Sequence, residues 1–341
     1  MKKVFVSGDR GFIMGYVIPL LLKNNIEVWG IDNDWKYGPV EKSFDNHPLY
    51  HHIQGDAKDY ELQNNILIEN NIDVFLLGAA LIGGISFFHS IPYKLLNENE
   101  QIAAASFDAA INAYKTSNLQ KIVVMSSSMV FESVTQWPSK EGDQLSFPPP
   151  ISSYGFQKLA MEYWASAAFK EHGLPYTIVR PFNAVGIGEY RAKLDKEVMS
   201  GNIKLAMSHV IPDLIQKIIK GQYPLRIFGN GDQIRHYTYA GDIAEGIYQC
   251  ILYNDKDNND FNISTNQGHS VLELAKIIWS RLKTEPFEYI SDVPFEYDVQ
   301  KRIPNTEKAK NILNFTANIS LEKALDEVIP WVNDMVHLGK I

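Results

Sequence analysis

The sequence predicts an α/β fold, in which a doubly wound parallel sheet is followed by a smaller, irregular α/β lobe. In the first half of the chain, short apolar runs typical of buried strands alternate with longer stretches of helical periodicity. Such alternation indicates βαβ units with right-handed crossovers. After Pro181 the alternation is lost, because glycine, proline and polar residues become frequent.

Five segments are predicted as strands, since most are nearly continuous apolar runs of the kind found in parallel strands covered on both faces. These strands are Lys3–Ser7, Glu27–Asp32, Val74–Leu77, Lys121–Ser126 and Tyr176–Arg180. Apolar residues at helical spacing predict the helices between them. These helices are Phe12–Asn24, Leu62–Asn70, Asn97–Ser117 and Ser153–His172.

A boundary near residue 180 is predicted to divide a first domain, 1–180, from a second lobe, 181–341. Helical periodicity continues in the second lobe, in less regular surroundings. The helices predicted there are His209–Lys220, Ala240–Leu252 and Val271–Leu282. The polar run Asn254–Asp260 is predicted to be a surface loop.

Composition and charge narrow the classes of function. The chain has 341 residues, 45% hydrophobic and 21% charged, as is ordinary for a soluble globular protein. Its net charge of −8 argues against nucleic-acid binding, which needs a basic face. The single cysteine, Cys250, allows no internal disulfide and fits a reducing compartment. Neither a signal peptide nor an apolar run near the roughly 18 residues of a membrane span is found, so we expect a cytoplasmic enzyme.

The loop after the first predicted strand has the pattern of a dinucleotide-binding turn. Gly8 and Gly11 stand between strand and helix, where glycines let the backbone approach a pyrophosphate at the helix N-terminus. Asp32 ends the second strand, and its carboxylate can accept hydrogen bonds from the adenosine ribose and would repel a 2′-phosphate. This pattern favours NAD over NADP. Arg10 points the other way, because its side chain could pair with a 2′-phosphate.

Tyr154 and Lys158 are the candidate catalytic pair. Their spacing of four places both side chains on one face of a predicted helix. A tyrosine with an ordinary pKa is a poor base at neutral pH, but a nearby ammonium and a positive nicotinamide ring favour its phenolate. The serines of the segment Ser126–Ser128 follow the fourth strand, where open α/β sheets bind ligands, and one of them could share the proton.

With these motifs the chain resembles the nucleotide-sugar epimerases and dehydratases of the extended short-chain dehydrogenase/reductase family. The resemblance spans nearly the whole chain and follows the family's order. Its motifs are Gly8-x-x-Gly11-Phe12-Ile13, Asp32, Gly55-Asp56, Gly78-Ala79-Ala80, Ser126-Ser127-Ser128, Tyr154-x-x-x-Lys158, Arg180-Pro181-Phe182-Asn183, Gly229–Arg235 and Tyr239-Ala240-Gly241-Asp242. The resemblance implies a Rossmann-type NAD(P)-binding domain and a nucleotide-sugar-binding lobe, as in the UDP-sugar 4-epimerases.

The resemblance also implies the roles of individual residues. Ser127, three residues before Val130, would be catalytic together with Tyr154 and Lys158. The cofactor-binding residues would be Gly8, Arg10, Gly11, Phe12, Ile13, Asp32, Asp56, Ala57, Ala79, Ala80, Tyr154, Lys158 and Pro181. The substrate-binding residues would be Ser128, Asn183, His209, Arg235 and Arg302, with the two arginines on the substrate diphosphate.

The chain departs from the family's pattern at three positions. The third glycine of the cofactor loop is replaced by Met14, which puts the packing of the first helix in doubt. The 4,6-dehydratases of the family carry Asp-Glu where this chain has Ser128 and Met129, which argues against dehydration. The segments Gly78–Ile85 and Ser208–Pro212 locally resemble GDP-fucose synthase, but Met129 replaces its epimerising cysteine, and methionine cannot act as a base.

Other features allow more than one interpretation. His209 matches the histidine acid of GDP-fucose synthase and could contact the sugar, or could be a packed or surface histidine. The loop residues Glu189–Arg191 are candidate sugar contacts or solvated charges. His51 and His52 point to opposite faces if they lie in a strand, so no metal site is predicted. The family's long helices pair across a two-fold axis, which implies a homodimer, although a monomer with well-covered helices is the alternative.

We therefore expect an NAD-dependent nucleotide-sugar epimerase that inverts C4 through a transient 4-keto intermediate. The expected partner is a nucleotide-diphosphate sugar, with no nucleic acid, membrane or metal. One alternative is a 4-reductase or dehydrogenase with net redox change, for which NADP is not excluded. Another is a non-catalytic dinucleotide-binding protein, although such proteins often lose the tyrosine or lysine that this chain retains.

Overall fold

Seven parallel strands form the central sheet of the structure, a computed structural model that describes residues 2–84, 90–193, 198–205, 209–254, 258–294 and 299–341. In chain order, the strands of the described residues are β1 (Lys3–Ser7), β2 (Glu27–Asp32), β3 (Tyr50–Gln54), β4 (Val74–Leu77), β5 (Lys121–Met125), β6 (Tyr176–Pro181), β7 (Ala184–Val185), β8 (Val198–Ser200), β9 (Ile203–Leu205), β10 (Leu225–Phe228), β11 (Ile234–Arg235), β12 (Thr238–Tyr239), β13 (Asn259–Ile263), β14 (His269–Ser270) and β15 (Tyr289–Asp292). The central sheet has the order β13-β6-β5-β4-β1-β2-β3. The predicted doubly wound parallel sheet is confirmed.

Helices cover both faces of this sheet. In chain order, the α-helices of the described residues, on the sheet and elsewhere, are α1 (Met14–Lys23), α2 (Tyr60–Glu69), α3 (Pro92–Thr116), α4 (Ser153–His172), α5 (Val210–Ile219), α6 (Ala240–Leu252), α7 (Val271–Leu282), α8 (Glu307–Leu313) and α9 (Leu321–His337). Apolar residues of α1, α6 and α8 pack on one face, and those of α2, α3 and α4 pack on the other. Because both faces are covered, the inner strands are mostly apolar and buried, and β4 is apolar along its whole length.

The strand order reverses between β1 and β4, and this reversal locates the ligand site. From β1 the chain adds β2 and β3 on one side of the sheet and then crosses to β4, β5 and β6 on the other. The carboxyl ends of β1, β2 and β4 are level, since Ser7 lies opposite both Ile31 and Leu77. Open α/β sheets bind their ligands in the crevice at such a reversal.

Local signals explain the helix boundaries. Ser152 caps α4 by accepting a hydrogen bond from the Gly155 amide at 3.0 Å, and Gly173 ends the helix with a left-handed φ of 74°. The predicted bounds of α4 are therefore correct. Helix α3 begins five residues earlier than predicted, at Pro92, where proline is favoured because the first helical residue needs no amide donor.

The two edge strands of the sheet, β3 and β13, are absent from the predicted strands. Both contain polar residues, because an edge strand is less enclosed than a central one. The prediction of a loop for Asn254–Asp260 is wrong at Asn259 and Asp260, which begin β13, while residues 255–257 lie outside the described residues. In β3, His51 stacks on Trp29 and His52 bonds with Asp9, so the two histidines point to opposite faces as expected.

The second half of the chain contributes to both parts of the structure. Helix α6 and strand β13 return to the central sheet, whereas α5, α7 and α9 enclose a separate apolar core. The division near residue 180 stays a prediction, since the chain crosses between these parts more than once. None of the described helices is long and apolar enough to cross a membrane. The cytoplasmic location also stays a prediction.

Candidate active site

A cavity of about 670 Å³ opens at the carboxyl ends of the sheet strands, a size suited to a small-molecule site. It is lined by residues that directly follow β1 to β6, together with residues of the second lobe. Each residue predicted to bind cofactor or substrate, or to take part in catalysis, lies on its wall: Gly8, Arg10, Gly11, Phe12, Ile13, Asp32, Asp56, Ala57, Ala79, Ala80, Ser127, Ser128, Tyr154, Lys158, Pro181, Asn183, His209, Arg235 and Arg302. The structure thus brings these residues together, and their individual roles remain predictions.

The glycine loop leaves room for a ligand at the N-terminus of α1. Gly8 has a left-handed φ of 76°, and a Cβ on it would lie 2.8 Å from the Ala79 Cα atom. Residue Ile13, which precedes the helix, makes no side-chain capping hydrogen bond, and the first turn holds no acidic residue. The amide end of α1 therefore faces the cavity without a side-chain cap, an arrangement that fits a dinucleotide pyrophosphate.

Asp32 offers its carboxylate at the end of β2. Its oxygens accept hydrogen bonds from the Asp34 amide at 2.8 Å and the Arg10 amide at 3.3 Å. Burial, the largest influence, raises the pKa of Asp32, and the nearby charge of Asp9 acts in the same direction, while the two amides oppose them. A carboxylate held in this way fits the ribose hydroxyls of NAD.

The Arg10 side chain is bound elsewhere in the protein. Its guanidinium forms an ion pair with Asp45 and donates a hydrogen bond to the Val40 carbonyl. The possibility that Arg10 serves a 2′-phosphate is therefore not favoured by its position in this structure, because an acidic side chain already occupies its donors.

Met14, the departure in the glycine loop, is accommodated by a glycine on the facing strand end. Its side chain is buried, and a Cβ on Gly78 would lie 2.9 Å from the Met14 Cε atom. The loop keeps its backbone hydrogen bonds, from the Gly11 amide to the Gly8 carbonyl at 3.0 Å and from the Gly15 amide to the Gly11 carbonyl at 3.1 Å. Space at Gly78 thus offsets the bulk that Met14 adds to the loop.

Tyr154 and Lys158 lie at the base of the cavity on the first two turns of α4. Ser127 is near enough to the Tyr154 hydroxyl to influence its pKa, and the Lys158 Nζ atom donates to the Met125 carbonyl at 2.8 Å. Burial lowers the pKa of Lys158 to about 8. Burial also raises the pKa of Tyr154, while Ser127, Lys36 and Arg302 lower it.

The direction of the Tyr154 pKa differs from the expectation drawn from spacing. We expected the Lys158 ammonium to lower that pKa, but burial is the strongest influence, and the charges that oppose it belong to Lys36 and Arg302. Spacing along a helix shows that two side chains share a face. Spacing does not show how deeply the two side chains are buried, and burial decides the direction of the Tyr154 pKa shift.

A close approach between α4 and the loop after β5 brings Tyr154 and Ser127 together. A Cβ on Gly155 would lie 2.8 Å from the Met129 carbonyl oxygen, so glycine is needed at this contact. The Glu132 carboxylate accepts hydrogen bonds from both the amide and the hydroxyl of Ser152, at 2.9 and 2.8 Å. Glu132 lines the cavity but was not predicted, because its function in capping α4 depends on tertiary contacts.

His209 and Glu189 form an ion pair on the opposite wall, with the His209 Nδ1 atom 2.6 Å from a Glu189 carboxylate oxygen. Burial disfavours both charges, but the partner's charge prevails, so the pKa of His209 is raised and that of Glu189 is lowered. Neither residue is thus a solitary solvated charge. Lys36 lies on the same wall and was also missed, since only the fold brings the loop after β2 to this place.

The predicted substrate residues have partners within the protein. Arg235 is buried and donates to the Ile234 carbonyl at 2.9 Å. The Arg302 Nη1 atom lies 3.2 Å from the Met129 sulfur. Asn183 has a left-handed φ of 36°, and its amide donates to the His236 carbonyl at 3.3 Å. Their cavity-facing positions leave the predicted role of these residues in substrate binding open to test.

A buried ion pair fixes α4 behind the catalytic residues. Glu162 lies one helical turn after Lys158, and its carboxylate accepts hydrogen bonds from Arg180 at 2.7 and 2.8 Å. The Ser126 hydroxyl donates to the same carboxylate at 2.6 Å. Arg180 also pairs with Asp260 of β13 at 2.7 Å. This network joins α4 to the ends of β5, β6 and β13.

Comparisons with known proteins agree with the fold. Residues 4–264 match the family described as the NAD-dependent epimerase/dehydratase family. The chain is 26% identical over 341 residues to a putative UDP-glucose 4-epimerase of Methanocaldococcus jannaschii, covering 97% of this chain and 98% of that protein. It is 24% identical over 352 residues to the dTDP-D-glucose 4,6-dehydratase of Mus musculus, covering 99% and 91%. The UDP-glucose 4-epimerase of Bifidobacterium longum, solved with NAD+ and UDP, superposes with a TM-score of 0.81 at 22% identity and covers 98% of both chains.

Replacing Glu162 by glutamine should lower the free energy of unfolding by about 3 kcal/mol, because Arg180 would lose a buried anionic partner. Urea denaturation followed by circular dichroism measures the change. The matched control is Glu171→Gln on an exposed part of the same helix, which should stay within about 0.5 kcal/mol of the parent. Equal effects of the two substitutions would contradict the assigned role of the ion pair.

Proposed function

The chain belongs to the NAD-dependent epimerase/dehydratase family, and from this premise we propose that it inverts C4 of a nucleotide-diphosphate sugar. Its cofactor is NAD, as the sequence predicted, and it is an enzyme rather than a non-catalytic binding protein. The observation that carries the proposal is that Tyr154, Ser127 and Lys158 lie together on the wall of one cavity, with Ser127 near enough to the Tyr154 hydroxyl to lower its pKa. This arrangement suits proton exchange with a sugar hydroxyl.

Inversion of C4 needs an acid/base group beside a site for hydride transfer. NAD, held by the glycine loop and Asp32, would supply reversible hydride transfer at C4 when bound. The Tyr154 oxygen takes the proton of the C4 hydroxyl and later returns it. Ser127 shares the hydrogen bond with Tyr154 and the substrate oxygen, and Lys158 is oriented by the Met125 carbonyl to hold the cofactor ribose.

The surrounding charges adjust the acidity of Tyr154. Burial raises the pKa of its hydroxyl and so favours the protonated form. Lys36 and Arg302 favour the phenolate, and they reach the cavity from the loop after β2 and from the second lobe. We assign these two cations the task of making Tyr154 a usable base, with the positive nicotinamide ring acting in the same direction.

The second lobe supplies the groups that suit a diphosphate. Arg235 and Arg302 both line the cavity, and a guanidinium can donate two parallel hydrogen bonds to phosphate oxygens. Asn183, two residues after the end of β6, also lines the cavity and would contact the sugar-phosphate. Two guanidinium groups of the second lobe on the cavity wall, in a chain with a net charge of −8, support an anionic substrate.

The side chains beside Ser127 favour epimerisation over dehydration. Elimination of water across C5 and C6 needs an acid and a base, yet the two positions that follow Ser127 hold Ser128 and Met129. Ser128 is buried, and the Met129 sulfur lies against Arg302. The nearby Glu132 carboxylate is already bonded to Ser152, so it caps a helix rather than facing a sugar carbon.

An exposed apolar stripe on α4 supports the predicted homodimer. Phe156 and Tyr163 are 47% and 61% exposed, and Ala160 and Ala167 lie on the same side of the helix at spacings of three and four. A large exposed aromatic stripe on a helix is typical of an association surface. We therefore propose that α4 packs against its copy across a two-fold axis.

Purified enzyme incubated with UDP-, GDP-, CDP- and dTDP-sugars, without added reductant, should invert C4 of at least one of them. Tyr154→Phe should lower kcat at least about 100-fold, because the acid/base hydroxyl is lost. Tyr163→Phe, which removes an exposed hydroxyl from the same helix, should leave kcat unchanged. NADH formed in proportion to substrate, without an inverted sugar, would instead identify a net oxidoreductase. Full activity of Tyr154→Phe would contradict the mechanism.

Tyr163→Glu should shift the protein from dimer to monomer, because two charges would be placed in an apolar contact. Light scattering coupled to size-exclusion chromatography measures the mass in solution. Leu338→Glu provides the control, since Leu338 is a comparably exposed apolar side chain, 63% exposed, far along the chain from α4. A parent protein that is monomeric at micromolar concentration would contradict the proposed interface.

A further inference from the structure

We propose that Asp45 is a specificity-determining residue, which keeps the enzyme selective for NAD by binding the Arg10 guanidinium away from the adenosine ribose. The inference concerns the cofactor and rests on the family's use of NAD rather than on the proposed sugar chemistry. It explains why an arginine in the glycine loop is compatible with an NAD enzyme. Asp32 has been assigned to the ribose, but Asp45 has not been linked to the cofactor.

Arg10 is close enough to the ribose end of the cavity to influence the choice of cofactor. It stands two residues after Gly8 in the cofactor loop and lines the cavity together with Asp32. Its backbone amide donates to the Asp32 carboxylate at 3.3 Å. The Arg10 side chain begins beside the Asp32 carboxylate, so it could turn towards a phosphate on the 2′-oxygen of the ribose. Arginine commonly binds that phosphate in NADP enzymes.

Asp45 occupies the donors that such a phosphate would need. The two terminal nitrogens of Arg10 meet the two carboxylate oxygens of Asp45, with Nη2 at 3.2 Å from Oδ2, and Nη2 also donates to the Val40 carbonyl. A guanidinium recognises one carboxylate or one phosphate through such a paired contact. While Asp45 holds this fork, the paired donors of Arg10 are engaged, and a 2′-phosphate would meet the repulsive charge of Asp32, with Lys42 as the nearby cation.

The Asp45 carboxylate is itself held in place. The Lys42 amide donates to its Oδ2 atom at 2.8 Å, within the loop that joins β2 to β3. The Arg10 side chain is only 13% exposed, so its ion pair is partly shielded from salt and water. The Arg10 contact lowers the pKa of Asp45 despite its partial burial, so Asp45 stays charged at neutral pH.

Residues on β3 enclose the guanidinium from the other side. Tyr50 forms a side-chain hydrogen bond with Arg10 and donates from its hydroxyl to Asp9 at 2.5 Å. Asp9 is fully buried and also bonds with the His52 Nδ1 atom at 2.8 Å. The guanidinium thus lies beside Asp45 and the Val40 carbonyl, and removal of the Asp45 charge frees its paired donors for another anion, which a 2′-phosphate in the cavity would provide.

The test measures binding of NAD+ and NADP+ to the purified full-length protein by isothermal titration calorimetry. Asp45→Asn and Asp45→Ala should each lower the Kd for NADP+ about tenfold, the gain expected from one charge-assisted contact, and keep the Kd for NAD+ within about twofold. Arg10→Met in the Asp45→Asn background should abolish the gain.

Two results would overturn the proposal: an unchanged ratio of NADP+ to NAD+ affinity in folded Asp45 variants, or a gain in NADP+ affinity that persists when Arg10→Met is added to Asp45→Asn. Asp45→Asn keeps the acceptor for the Lys42 amide, so it carries the test if Asp45→Ala fails to fold. The readout is cofactor binding rather than turnover. Failure to invert C4 would therefore count against the proposed sugar chemistry and leave this inference intact.

Discussion

Arg180 and Glu162 form a doubly hydrogen-bonded ion pair behind the cavity, and the position of the catalytic side chains is tied to it. Tyr154, Lys158 and Glu162 follow one another at intervals of four along α4, so fixing one fixes the other two. Through Ser126 and Asp260 the same pair holds the ends of β5 and β13. Burying these charges is costly unless each is fully paired, which explains why so many partners converge there.

Because Tyr154 and Lys158 are buried, their pKa values are set mainly by desolvation and not, as their spacing had suggested, by each other. Burial raises the pKa of Tyr154 and lowers that of Lys158 to about 8, so desolvation acts against the charged form of both. The charges that favour a phenolate come from Lys36 and Arg302, which belong to distant parts of the chain. In the proposed mechanism, the first half of the chain supplies the acid/base group, Tyr154. Its pKa is lowered both by Lys36, from the same half, and by Arg302, from the second half.

Features that depend on local order could be predicted from the sequence. The inner strands were predicted because burial on both faces makes them mostly apolar, and the glycine loop was recognised because only glycine fits beside Ala79. The edge strands β3 and β13 were missed because their polar residues are satisfied by particular partners, as Asp260 is by Arg180. The ion pairs of Arg10 with Asp45 and of His209 with Glu189 join segments that are distant in sequence, so no local pattern indicated them.

The central claim is that a hydride leaves C4 of the sugar and returns to it. The most direct test is to incubate the enzyme with a nucleotide sugar that carries deuterium at C4 and to analyse the inverted product by mass spectrometry and NMR. The proposed mechanism predicts that the inverted sugar retains the deuterium at C4, because the hydride never exchanges with water. Loss of the label to solvent, or its appearance in released reduced cofactor in proportion to product, would contradict it.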